Sequence, residues 1–194
     1  MTTLSKVSDR ERIRLYLGTG CGKTTATFGL ALRALSKGMN VTLVFFDKLE
    51  ENSSEGRALK LLADSSLEGF GKLTVAYTGV NRVGAGPGGS FRFYSSPNGI
   101  TPEDINEARR GLSLLADAFQ RQDQVVIADE MLDVARVNMV TWEEVKDILD
   151  TRKDPALVVL TGRKAPDWLM NEATTISSTV QLKHHGKALE GIDC

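Results

Sequence analysis

The segment Gly18-Thr19-Gly20-Cys21-Gly22-Lys23-Thr24-Thr25 constrains this chain more than any other. Before it stands Arg12-Ile13-Arg14-Leu15-Tyr16-Leu17, in which β-formers alternate with polar residues. After it, from Thr24 to Lys37, comes an alanine-rich stretch with Phe28, Leu30, Ala31, Leu32, Ala34 and Leu35, closed by Gly38. The order predicted is strand, glycine turn and buried helix, with a glycine past the helix C-terminus. Such a turn can aim successive backbone N–H groups at an anion, because glycine accepts positive φ and the helix N-terminus favours negative charge. Lys23 adds a mobile positive charge, and the Thr24 hydroxyl a ligand for magnesium. The spacing is one residue shorter than G-x-x-x-x-G-K-[ST], since Gly18 stands four positions before Gly22. The expected occupant is a nucleoside triphosphate with Mg2+.

The rest of the chain repeats the alternation. Val41 to Phe46 is a nearly continuous apolar run, as in a strand covered on both faces of a parallel sheet. Ser54 to Ala63 reads as a helix and Leu73 to Tyr77 as a strand. From Gly79 to Ile100, glycines at 84, 86, 88, 89 and 99 with Pro87 and Pro97 predict a long loop without regular structure. Thr101-Pro102-Glu103-Asp104 opens a helix to about Arg121, with threonine at the N-cap and proline at the first helical position. Gln124 to Ala128 is the next buried strand, and Thr141-Trp142-Glu143-Glu144 is a second capping box, opening a helix to about Asp150. Leu157 to Leu160 reads as a strand, Pro166 to Asn171 as a short helix and Thr174 to Val180 as a last strand. The expected fold is α/β: a single-domain P-loop (RecA-like), mostly parallel sheet with helices on both faces, over residues 1–194. Residues 1–11 are expected to be flexible, and 79–101 to form the long glycine-rich loop.

Composition narrows the classes. Hydrophobic residues at 41% and charged residues at 25% suit a globular domain. A net charge of -1 gives no overall field to draw the chain onto nucleic acid. Met1 to Arg14 lacks an apolar stretch, and no apolar run reaches the roughly 18 residues that span a bilayer. Cys21 and Cys194 share neither a disulfide framework nor a metal-ligand spacing. A cytoplasmic protein with no membrane partner is expected.

Ligands of such a sheet sit beyond the carboxyl ends of its strands, where further candidates fall. Val125-Val126-Ile127-Ala128 delivers Asp129 and Glu130, one of which should face Lys23 and hold the metal or its waters. Thr161-Gly162-Arg163 ends the strand Leu157 to Leu160, so Arg163 can reach triphosphate oxygens. His184 and His185 are adjacent and do not share the face of a helical metal pair; solvated side chains are expected. Trp142 and Trp168 read as core residues, and Cys21 as a small residue tolerated at the loop tip.

Taken together, G-x-G-x-G-K-T-T-A, the helix F-G-L-A-L-R-A-L, a strand ending in D-E, L-T-G-R, K-H and a terminal G-I-D resemble the bacterial corrinoid adenosyltransferases of cobalamin biosynthesis and salvage. The shortened phosphate loop is that family's own variant, and the similarity runs from about Leu15 to Asp193. The resemblance implies that the loop binds Mg-ATP and that Co(I) of a reduced corrinoid, the second substrate, attacks the ribose 5′ carbon and releases triphosphate. It further implies that Lys23 and the loop Gly18, Thr19, Gly20, Cys21, Gly22, Thr24 and Thr25 hold the triphosphate. Thr24 with Glu130 would hold magnesium, and Arg163 would contact phosphate. A homodimer and a flavoprotein-type electron donor are implied as well. The chain departs from the family in two places. Cys21 stands where a lysine is usual, and the aromatic segment T-G-F-T-W, which crowds the lower face of the corrin, here reads Thr78-Gly79-Val80-Asn81-Arg82. An insertion from Gly84 to Ile100 follows, with Phe91, Phe93 and Tyr94 as candidate replacements. An ATP-binding regulatory protein that keeps only the nucleotide half of the site is the alternative.

Overall fold

Among the described residues, six parallel strands form one sheet in the order β3-β2-β4-β5-β1-β6. They are β1 Ile13–Leu17, β2 Val41–Phe46, β3 Leu73–Thr78, β4 Val125–Asp129, β5 Leu157–Thr161 and β6 Thr175–Ser178. The helices between them are α1 Lys23–Leu35, α2 Ser54–Asp64, α3 Pro102–Gln120, α4 Met131–Arg136, α5 Trp142–Asp150 and α6 Asp167–Glu172. The computed structural model describes residues 12–65, 67–95, 99–152 and 156–183. The expectations for residues 1–11, Pro97, His184, His185, the Gly191-Ile192-Asp193 terminus and Cys194 fall outside them.

Period-two alternation sorts each inner strand between two cores. Leu43 and Phe45 of β2, Val125 and Ile127 of β4 and Val159 of β5 pack with Ala31, Ala34, Leu35 and Leu59 of α1 and α2. Val44, Phe46, Val126, Ala128, Val158 and Leu160 face the opposite way, onto α3, α4, α5 and Leu169 of α6. Both faces are therefore apolar, which is why these strands read as unbroken hydrophobic runs. Each fully buried Leu, Val or Phe contributes about 1.5–3 kcal/mol, so this two-sided core is the main source of stability. Trp142 and Trp168 pack at the edge of the second core, as the sequence suggests.

The direction of strand order reverses between β3 and β4, and the helices change face with it, as right-handed crossovers require. In consequence β2, β4, β5 and β1 lie side by side and open their carboxyl ends to one cleft. The two capping boxes are as the sequence indicates: Thr101 with Asp104 starts α3, and Thr141 with Glu144 starts α5. Three features differ from expectation. Helix α4 lacks a side-chain cap and starts from Glu130 at φ +62°, so no residue pattern announces it. Among its described residues, the 79–100 segment contains one 3-10 turn, Pro87–Gly89. Strand β6 is short and exposed at all four positions among the described residues.

Candidate functional site

The loop after β1 is shaped by its neighbour across the sheet edge. Thr179, just past β6, donates its N–H to Leu17 O at 2.8 Å and its hydroxyl to Gly20 O at 3.1 Å, while its own carbonyl accepts from Gly20 N–H at 3.2 Å. Gly18 sits at φ +111°, and a Cβ there would lie 2.2 Å from Thr179 O. Both facts exclude any other residue without movement of the loop. Gly18→Ala is accordingly expected to cost about 1–3 kcal/mol through strain at positive φ and to weaken nucleotide affinity along with it; denaturant melts and calorimetry on the variant check both.

Gly22 carries the chain into α1. Lys23 folds back and donates from Nζ to Gly18 O and Gly20 O, both at 2.9 Å, placing a positive charge inside the loop. Cys21 is exposed at its tip. Thr24 points across the cleft and donates from Oγ1 to Asp129 Oδ2 at 2.9 Å. Asp129 is wholly buried and also accepts from the Thr161 hydroxyl, at 2.8 Å through Oδ1. Thr161 Oγ1 in turn accepts from the Glu130 N–H at 2.8 Å. Three strands thus fix one carboxylate: β4 carries it, β5 supplies Thr161, and β1 delivers Thr24 through the loop.

A residue that sequence reading overlooks completes the group. Lys48, two residues beyond β2, places Nζ 2.7 Å from Asp129 Oδ2 and 3.1 Å from Thr24 Oγ1. Burial alone would depress this ammonium, but the charge and hydrogen bond of Asp129, helped by Glu130 and Glu55, outweigh it and raise its pKa. The hint in the sequence is a lone cation at the carboxyl end of an apolar strand, the edge at which such sheets bind ligands.

Of the two acids on β4's end, the structure brings Asp129 to Thr24. Glu130 instead lines a cleft of about 210 Å³ with Lys48, Arg163, Asp133 and Tyr94. Burial raises the Glu130 pKa and repulsion from Asp129 and Asp133 adds to this, with Lys48 opposing. Arg163 lies beside the phosphate loop: its carbonyl accepts from Gly18 N–H at 3.2 Å and its own N–H donates to Asp133 Oδ2 at 3.1 Å.

The 79–100 segment forms the next wall. Phe91, Phe93 and Tyr94 are 45%, 61% and 39% exposed and border a groove of about 280 Å³ with Asp47, Lys48 and Val80. Phe91 and Phe93 meet edge to face, their ring centroids 5.0 Å apart. Arg82 is not part of an open polar surface. It is 7% exposed and bonded to Asp47 at 2.7 Å and Asp104 at 2.9 Å, with Tyr94 stacked 4.3 Å from its guanidinium carbon.

A fold of this topology with its glycine loop, lysine and threonine defines a P-loop protein. The family model of ATP:corrinoid adenosyltransferase BtuR/CobO/CobP matches residues 9–193, and the chain belongs to that family of transferases. Among similar proteins, the corrinoid adenosyltransferase CobA of Salmonella typhimurium is 28% identical over 189 residues, covering 95% of this chain and 86% of its own length. The corrinoid adenosyltransferase of Escherichia coli K12 is 28% identical over 176 residues, covering 91% and 80%. An uncharacterized protein of Nostoc sp. is 29% identical over 188 residues, 92% of this chain but 46% of that protein's length.

Proposed function

We propose that this chain transfers the 5′-deoxyadenosyl group of ATP to the cobalt of a reduced corrinoid. The cobalt–carbon bond forms with the electron pair of Co(I) as the C5′–O bond breaks, and that bond's electron pair leaves with the triphosphate. The observation that carries this reading is that Lys48, bonded to Thr24 of the glycine loop and to Asp129, lines both the cleft of Glu130 and Arg163 and the aromatic-lined groove beside it, with Tyr94 bordering both.

In this reading the protein contributes alignment and electrostatics rather than a nucleophile. Loop amides from Gly18 to Thr25, with Lys23, hold the triphosphate and stabilise the charge that gathers on it as it leaves. Arg163 contacts phosphate from the β5 side. Thr24 and Asp129, hydrogen-bonded at 2.9 Å, would hold magnesium, with Glu130 as the second acid at the end of β4. The donors there are oxygens, and a lysine ammonium already rests between two of them. Among the described residues no group of three or more His, Asp, Glu or Cys side chains could hold a metal unaided, so phosphate and water oxygens would complete the shell. When bound, the ion neutralises the leaving triphosphate. Phe91, Phe93 and Tyr94 would supply the apolar wall that keeps donors away from the corrin's lower face, in place of the residues at Val80 and Arg82. A homodimer, a cytoplasmic setting and a flavoprotein-type reductant belong to the same proposal. No described helix is long and apolar enough to cross a membrane.

Phosphorus NMR of a mixture of protein, Mg-ATP and chemically reduced corrinoid is expected to show intact triphosphate, formed together with the light-sensitive cobalt–carbon product. ADP with phosphate as the main corrinoid-dependent product would assign phosphoryl chemistry instead. ATP binding without any corrinoid product would assign the regulatory alternative.

A further inference from the structure

Asp47 and Lys48 are consecutive, yet they serve different parts of the cleft. Lys48 reaches into the phosphate site and bonds Asp129 and Thr24. Asp47 turns to the aromatic segment and accepts from Arg82 Nη1 at 2.9 Å and from Nη2 at 2.7 Å. The divergence comes from the backbone: Asp47 lies at φ +55°, a left-handed conformation that aspartate tolerates better than most residues. Arg82 spans three partners at once. Its remaining N–H groups donate to Asp104, and Tyr94 stacks on it. A second link runs through the main chain. Asp47 N–H donates to Thr78 O at 3.2 Å, and at Gly79 a Cβ would fall 2.6 Å from the backbone of Lys48. The start of the aromatic segment therefore rests directly on the turn that carries Lys48.

We propose that Asp47 and Arg82 are positioning residues that couple the nucleotide site to the aromatic wall. The Lys48 ammonium bridges Asp129 and Thr24, the two side chains that would hold magnesium. Mg-nucleotide competes for the same oxygens, so Lys48 must leave Asp129 and turn toward phosphate. Packed cores respond to such a change as rigid pieces rather than by gradual deformation. The turn at Asp47 shifts with Lys48, and through the Asp47–Arg82 pair it resets Tyr94, which borders both grooves. The wall thus takes its working position when nucleotide is present, an ordering in which the first ligand prepares the site of the second. This rests on the Mg-ATP reading of the loop and not on corrinoid chemistry.

Hydrogen–deuterium exchange over peptides spanning 79–95 tests it, in the full chain, with calorimetry of Mg-ATP binding run in parallel. In the wild type, saturating Mg-ATP is expected to change exchange in these peptides by about fivefold or more. In Asp47→Asn, a near-isosteric change that leaves the Arg82–Asp104 bonds in place, Mg-ATP should still bind but the response should drop below about twofold. Arg82→Lys, which keeps the charge but cannot reach Asp47, Asp104 and the Tyr94 face together, should lose the response in the same way. A purely structural role would raise exchange equally with and without nucleotide and leave the difference intact, and that result overturns the proposal. So does a wild-type segment indifferent to bound Mg-ATP. Failure of the wild type to bind Mg-ATP at all would show in the calorimetry and would bring down the nucleotide reading together with the coupling.

Discussion

Asp104→Ala is expected to cost the fold about 3–5 kcal/mol, the range for deleting one partner of a buried ion pair. The Asp104 side chain is completely buried and carries two guanidiniums. Arg82 reaches it at 2.9 Å, and Arg92 at 2.6 Å while also donating to Gly99 O at 2.6 Å. It accepts from Thr101 as well, through the N–H and the hydroxyl, both at 2.7 Å. Alanine would leave the buried Arg92 without its carboxylate, take from Arg82 one of its two acids and remove the capping box of α3 in one step. Alanine at Glu144 would also remove an N3 acid, but its partner Arg109 is 58% exposed, so that ion pair contributes no more than about 1 kcal/mol. Guanidinium unfolding of the two variants beside the wild type checks the contrast.

The pH dependence follows from the same bonds. Burial would raise the Asp104 pKa, but the bonds from Arg92, Thr101 and Arg82 overcome it and hold the carboxyl well below the usual carboxylate range. Its stabilising effect is therefore present above the ordinary value of 3.8 and lost as pH falls below it. Glu130 and Asp47 are shifted the other way, so each favours the fold while protonated and loses that contribution as pH rises through its folded value. Wild-type stability should fall in acid more steeply than that of Asp104→Ala, whose acid limb lacks this contribution.

What the sequence discloses, and what it hides, follows from how far apart the cooperating residues lie. The strands were legible because both faces are buried and the runs from Val41, Val125 and Leu157 are apolar throughout. The starts of α3 and α5 were legible because a capping box is complete within four residues. The phosphate loop is local in the same sense, as are Asp129 and Glu130 at the end of their strand. Lys48 and Asp129, by contrast, are 81 positions apart and meet only because β2 pairs with β4, a neighbour relation that no local pattern encodes. The same holds for Arg82 with Asp104, 22 positions apart across the glycine-rich segment. From the sequence, Arg82 reads as a polar residue spoiling an apolar wall. In the fold it is buried, paired on two sides and stacked under Tyr94, so its charge is spent on holding the segment. Helix α4 escaped notice for another reason: its six residues start from Glu130 in a left-handed conformation without a capping side chain.

Lys23→Ala should weaken Mg-ATP binding about 100-fold, or about 2.7 kcal/mol, in keeping with the loss of a charge-assisted phosphate contact. The ammonium is held by two carbonyls, Gly18 O and Gly20 O. Those bonds keep it centred where phosphate would arrive. They also exchange readily for phosphate oxygens, because a neutral carbonyl is the weaker acceptor for a cation. The fold itself has little to lose. Gly18 and Gly20 remain tied to Thr179 and Arg163 through backbone bonds, and two side-chain bonds at a half-buried site contribute about 1 kcal/mol each at most. Cys21, at the exposed loop tip, offers no second cation to compensate, which puts the expected loss at the upper end for a single lysine. Calorimetry with Mg-ATP on the variant, beside a thermal melt showing that the fold is retained, measures both sides of this separation. An unchanged dissociation constant would remove Lys23 from the phosphate site and with it the basis for reading the loop as the nucleotide cradle.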